Sequence, residues 1–154
     1  MKKILFLAVS GILLLSACKK ETIELSDEDL LTRNGWVVKD FEMTIGSFTF
    51  SGTDEMDECE LDDIIFFKKE GKSFEKDQGA TKCFSVQVQH EKLGTWDYDE
   101  ITKKVHVKLF DEEDQGIQTM ELLEVKENEL QLYWEETTVD GEIQNCLITF
   151  VSAP

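Results

Sequence analysis

Leu130-Gln131-Leu132-Tyr133-Trp134-Glu135, then Val139-Asp140-Gly141-Glu142, then Cys146-Leu147-Ile148-Thr149-Phe150 is the stretch that decides the fold. Apolar side chains at 130, 132 and 134 alternate with Gln131, Tyr133 and Glu135, the period of a strand buried on one face. The Asp140-Gly141 pair suits a tight hairpin turn, and Ile143–Val151 carries the chain back. Strands joined by so short a reversal are antiparallel neighbours.

Moving outward, Val105, Val107 and Leu109 alternate with His106 and Lys108 in the same period, and Glu70-Gly71-Lys72 and Glu127-Asn128-Glu129 mark two more reversals. The pattern predicts strands over 36–45, 47–51, 64–69, 72–77, 93–99, 104–110, 117–126, 130–137 and 142–151. Phe84, Val86 and Val88 make 84–89 a candidate for one more. Along the first strand the apolar parity shifts from Trp36 and Val38 to Phe41, Met43 and Ile45, as a bulge near Lys39-Asp40 would produce. Ser26-Asp27-Glu28-Asp29 reads as the start of a short helix that Asn34-Gly35 stops. The single proline, Pro154, interrupts nothing. The predicted fold is all-β, an antiparallel meander closing into a small barrel of about eight or nine strands, because closure removes exposed edges. A two-sheet sandwich is the alternative.

The N-terminus carries a separate message. Lys2 and Lys3 precede an apolar run from Ile4 to Leu15, followed by the small residues Ser16 and Ala17. This is the layout of a secretory signal over residues 1–17. The run is shorter than the roughly 20 residues a membrane-spanning helix needs. Leu15-Ser16-Ala17-Cys18 resembles the bacterial lipobox, which implies a diacylglyceryl group on the Cys18 sulfur and cleavage just before it. Residues 18–29 then form the lipid-bearing start and tether, and 30–154 the folded domain. The expected place is the bacterial cell envelope, outside the cytoplasm, with the acyl chains as the membrane contact; an outer membrane or cell surface fits best.

Without the signal the chain has 33 acids against 14 bases, near −19. That balance excludes nucleic acid, whose binding rests on basic phosphate contacts, and docking on anionic headgroups. Three cysteines remain: Cys59, Cys83 and Cys146. An oxidising compartment favours one disulfide. Spacing alone does not choose the pair, but Cys59 and Cys83 lie in polar, loop-like surroundings whereas Cys146 lies in a strand pattern. Cys59–Cys83 is the expected bridge, and Cys146 a buried apolar thiol.

With the strands placed, Asn34-Gly35-Trp36 after a helical turn resembles the opening of lipocalins, with Asn34 in a glycine's place. The run Cys59, Asp62-Asp63, Phe66-Phe67, Gly71, Gly79, Cys83 and Gly94-Thr95-Trp96 is similar in order to the small bacterial lipocalin-like lipoproteins. The resemblance covers about residues 30–151 and implies a lipocalin-like barrel that binds or carries a small apolar ligand. Typical lipocalins have a helix beside the barrel; here the pattern ends in a strand at Val151.

Trp36, Trp96 and Trp134 fall at inward-looking positions, where they either fill the barrel or, with Tyr98, line a cavity: Trp96, Tyr98 and Trp134 are the ligand-contact candidates. Seven of the ten residues from Asp54 to Asp63 are acidic, and Asp111-Glu112-Glu113-Asp114 forms a second group. Asp111, Glu113, Gln115 and Gly116 echo the first half of a calcium loop, but Leu122 stands where its bidentate glutamate belongs. Solvated loop tips fit these acids better, and no metal or cofactor is expected. His90 reads as a loop residue and His106 as a solvent-facing strand residue; neither sits in a metal-ligand or nucleophile motif. A non-enzymatic binding protein is the expectation. The alternative is an envelope module that docks a protein or glycan through its acidic loops.

Overall fold

The computed structural model describes residues 24–110 and 116–154. The lipobox with Cys18, the signal, most of the tether and the acids 111–114 with Gln115 lie outside the described residues. A short helix, α1 (Asp27–Arg33), precedes nine strands: β1 (Trp36–Ile45), β2 (Phe48–Ser51), β3 (Ile64–Phe67), β4 (Ser73–Asp77), β5 (His90–Asp99), β6 (Lys104–Leu109), β7 (Ile117–Val125), β8 (Glu129–Thr137) and β9 (Ile143–Ser152). Ser26 caps α1, its Oγ accepting from the Asp29 amide at 3.1 Å.

Every pairing is antiparallel, and consecutive strands from β3 to β9 are neighbours. The sheet closes because β1 pairs β9 along its whole length, from Trp36 opposite Ser152 to Ile45 opposite Gln144. That ladder excludes the sandwich. The other edge of β1 is shared: Trp36 and Val37 pair with β3, while Glu42 to Ile45 pair with β2. The irregularity between Val38 and Asp40 is the bulge the parity shift predicted. The molecule is thus a closed eight-stranded barrel, β1 and β3–β9, with β2 as an extra strand folded back on upper β1.

Two expectations need correcting. Residues 84–89 form bends and turns, with Phe84, Val86 and Val88 exposed, so no strand forms there. β5 begins three residues earlier than its predicted start at 93, so His90 is a strand residue opposite Asp77. Its imidazole Nε2 lies 2.8 Å from Glu75 Oε2. The stretch His90-Glu91-Lys92 pairs with the equally polar Glu75-Lys76-Asp77, so neither side carries an apolar alternation.

One end of the barrel is sealed by α1. Leu31 and Trp36 are fully buried, and the Trp36 indole N–H donates to the Leu31 carbonyl at 2.9 Å. All three acids of the helix's first turn are clamped by lysines. Asp27 and Asp29 each meet theirs, Lys103 and Lys69, at 2.6 Å, and Glu28 meets Lys72 at the same distance. These lysines sit in the turns at that end of the barrel, so the helix is held by charge as well as by its apolar face.

Candidate ligand-binding mouth

Inward side chains behave differently at the two ends. Near α1 the interior is solid: Trp36, Phe67, Trp96, Val105, Val107, Leu130 and Leu132 are all at most 3% exposed. Toward the other end, where the β1–β2, β4–β5, β6–β7 and β8–β9 connections lie, Phe41, Met43, Ile45 and Trp134 are only half-buried and stand apart from that core. Their register keeps them on the inner face: Phe41 is opposite Ile148, and Met43 and Trp134 both face the buried Cys146. Phe41 and Trp134 stack with centroids 5.7 Å apart. Gln144 reaches across to donate to the Met43 sulfur at 3.0 Å. The inner face is thus sealed at the helix end and apolar but partly reached by solvent at the other.

The rim of this mouth is built by cross-linked loops. Cys59 and Cys83 form a disulfide, joining the β2–β3 connection to the β4–β5 connection with Cα atoms 5.2 Å apart. Beside it Asp62 Oδ2 accepts from the amides of Ala80 and Thr81, both at 2.9 Å. Gly79 sits between with φ +62°, and a Cβ there would strike the Asp62 carbonyl. The β2–β3 loop is also anchored to the strand below it, the Gly52 amide donating to the Phe41 carbonyl at 2.6 Å. Around the rim the large apolar side chains Phe48, Phe50, Phe84, Val86, Val88 and Phe110 are exposed.

Polar groups also enter the interior on this side. Asp63 and Gln78 lie just beyond the last β3–β4 pair, Ile64 opposite Asp77, and by the alternation of the strands share the face of Ile65, Phe67 and Phe74. Lys76 lies on that face too and meets Asp63 Oδ2 at 3.0 Å. Burial pushes the Asp63 carboxyl above the ordinary aspartate range despite the lysine beside it.

The residues the sequence singled out separate along the barrel axis. Trp96 is 2% exposed at the helix end, its indole N–H donating to the Lys68 carbonyl at 2.9 Å and its ring edge-on to Phe67. Tyr98 donates to Asp27 of α1 at 2.8 Å. Both belong to the sealed base, whereas Trp134 stands nearer the mouth. Trp134 also borders a cleft of about 250 Å³ with Lys104, Thr119, Glu121, Tyr133 and Glu135, mostly outward residues of β6–β8. Cys146 is buried, and desolvation holds its thiol above the usual range, which makes it a poor nucleophile. Among the described residues no group of three or more histidines, cysteines and acids is placed to hold a metal ion.

No family model and no curated protein matches the chain. Among solved structures it is similar to a bovine odorant-binding protein, in complex with a selenium-containing odorant. The TM-score is 0.45 and the identity 10%, over 88% of this chain and 78% of that one.

Sequence reasoning missed Phe41, Met43 and Gln78. The first two were legible as inward strand residues, but not as the ones left uncovered. Gln78, which is 1% exposed, carries no local signal, because a single polar residue at the end of a polar strand gives no apolar period to read.

Proposed function

We propose that this chain is a bacterial envelope lipoprotein, held to a membrane by lipid on Cys18, whose barrel binds a small apolar molecule through the end opposite α1. The observation that carries the binding reading is the contrast in burial along one inner face. Apolar side chains are sealed from water at the helix end and left half-exposed at the mouth, in Phe41, Met43, Ile45 and Trp134. Half-exposed apolar surface gains free energy when an apolar occupant covers it, at roughly 25 cal/mol per Å² covered. The anchor reading rests on the signal-like run and on the resemblance of residues 15–18 to a lipobox. The reading is non-enzymatic: Cys146 is buried with its thiol pushed up by desolvation, and Trp96 and Tyr98 are committed to hydrogen bonds within the sealed base.

The test of binding is tryptophan fluorescence and thermal shift of the unlipidated mature domain against fatty acids, sterols and haem-like compounds. A ligand of the mouth perturbs emission in the parent and in Trp96→Phe, and loses its signal in Trp134→Phe. No response across the panel removes the reading. Mass spectrometry of the mature protein tests the anchor, with Cys18→Ser abolishing the acyl mass.

A second reading has its own observation: the exposed apolar rim, from Phe48 and Phe50 to Phe84, Val86 and Val88, lies beside the acids of 54–62. Such a surface fits a protein partner with apolar and basic side chains. Cross-linking in intact cells separates the two, since a reproducible partner with no small-molecule response favours docking.

A further inference from the structure

Gln78 is 1% exposed, and both its side-chain amide atoms lack a hydrogen-bond partner; Asp63 Oδ1, across the β3–β4 ladder, is buried and unpartnered as well. A buried amide left unpaired costs more than a typical hydrogen bond contributes, so native interiors rarely keep one without a reason. The orphaned atoms are a donor and two acceptors on the inner face of the barrel. Lys76, two residues from Gln78 along β4 and paired with Asp63, has a side chain 23% exposed, so the group reaches solvent at the lysine.

We propose that Gln78, Asp63 and Lys76 form a polar subsite that hydrogen-bonds the neutral head of an amphiphile, an alcohol or a primary carboxamide, while its tail lies in the apolar mouth. The proposal rests on the ligand-binding reading above and specifies its ligand class. The chemistry selects the head. Asp63 and Lys76 already neutralise one another at 3.0 Å, so the subsite has no net charge to offer an ion. A carboxylate head would face the Asp63 carboxylate, and an ammonium would face Lys76. A hydroxyl or carboxamide both donates and accepts, matching the free Gln78 amide and Asp63 Oδ1. A pure hydrocarbon would leave all these atoms unpaired, and sites built to pair a polar group reject analogues that lack it.

The experiment is displacement of the neutral fluorophore N-phenyl-1-naphthylamine from the mature domain by decane, 1-decanol, decanamide and decanoate. The expected order places the alcohol and amide about tenfold tighter than decane, two hydrogen bonds, to the Gln78 amide and to Asp63 Oδ1, being worth at least roughly that factor, with decanoate behind both. In Gln78→Met, nearly isosteric and without the amide, the advantage collapses while decane is unaffected and the melting temperature holds or rises. A merely structural glutamine would move stability and leave the order intact. Should Gln78→Met not fold, Asp63→Asn replaces one acceptor by a donor, and the alcohol's advantage falls while decane's affinity stays. Equal affinities in the parent, an advantage that survives in the variants, or decanoate binding tightest each overturn the subsite. Failure of every C10 compound to displace the fluorophore, or of the fluorophore to bind, counts instead against the ligand-binding reading, and the subsite goes with it.

Discussion

Removing the disulfide should lower stability by a predictable amount, because the bond closes a loop whose native geometry is held independently. Cys59 and Cys83 are 24 residues apart in sequence. In the chain-entropy treatment, closing a loop of about 25 residues removes roughly 12 cal/mol/K from the unfolded chain, about 3.5 kcal/mol at 25 °C. In the folded state the same loops are joined by Asp62 to the Ala80 and Thr81 amides, and the β2–β3 loop by Gly52 to Phe41. The native loops therefore keep their places when the bond is cut, and nearly the whole entropic difference appears in the unfolding equilibrium. For a domain of this length the loss corresponds to roughly 12 °C in Tm. The assay is urea unfolding of the mature domain followed by tryptophan emission, comparing the oxidised parent with Cys59→Ala/Cys83→Ala. The slope m should rise in the variant, whose unfolded chain is freer to expand. A difference below about 1 kcal/mol, or loss of Ala80 and Thr81 amide protection under native conditions, refutes the separation of bond from geometry.

Trp36→Phe leaves the Leu31 carbonyl without its donor inside the sealed end and opens a void, so denaturant titration should show a loss of about 2–4 kcal/mol. Gly79→Ala places a methyl group against the Asp62 carbonyl at a φ that alanine resists, and should cost about 2 kcal/mol or more by the same measurement. The pH dependence has two signs. Asp27, held below its ordinary value of 3.8 first by its hydrogen bond to Lys103, and Glu75, held below 4.5 first by Ser73, contribute stability above those values. That contribution is lost as pH falls through their lower folded pKa values. Asp63 runs the other way: raised by burial, it favours the fold as pH falls toward 3.8 from above its folded value. Melting temperature against pH should therefore fall steeply only below about pH 4, and Asp27→Asn should flatten that fall; coincident curves would exclude the helix clamp as its cause.

The parts of the barrel legible in the sequence are those where burial is one-sided and local. β6 and β8 declare themselves because Val105 and Val107, and Leu130 and Leu132, are buried while their neighbours face water. The bulge in β1 was legible for the same reason, as a break in parity. Where both partners of a pairing are polar, as in His90–Lys92 against Glu75–Asp77, backbone hydrogen bonds and cross-strand charge make the ladder, and apolar periodicity is silent. The converse misled at Phe84, Val86 and Val88, whose alternation is real but faces outward from a turn. Closure by β1 against β9 joins residues about a hundred positions apart and has no local signature, so the barrel was predicted from the cost of open edges, with the sandwich as the alternative, and the ladder decides it. The candidate site divides in the same way. Inward parity pointed to Trp134, but which inward residues remain uncovered depends on α1 sealing one end only.

That asymmetry bears on how an anchored barrel would exchange its ligand. The chain enters α1 at Ser26, at the sealed end. Between Cys18 and Ser26 lie eight peptide steps, at most about 28 Å fully extended. A ten-residue strand such as β1 or β9 rises about 33 Å, or roughly 25 Å along a barrel axis to which it is tilted by some 40°. A lipid on Cys18 would thus draw the sealed end toward the bilayer, and the tether at full stretch barely matches the length of the barrel. The mouth would then face away from the membrane that holds the lipid, and its ligand would arrive from the aqueous side. A mouth that instead had to draw its ligand from the anchoring bilayer would be helped by a longer tether, so inserting a flexible stretch after Lys20 should leave loading from solution unchanged. Loading that rises steeply with tether length would mean that the anchored barrel lies over on its side and works against the membrane itself.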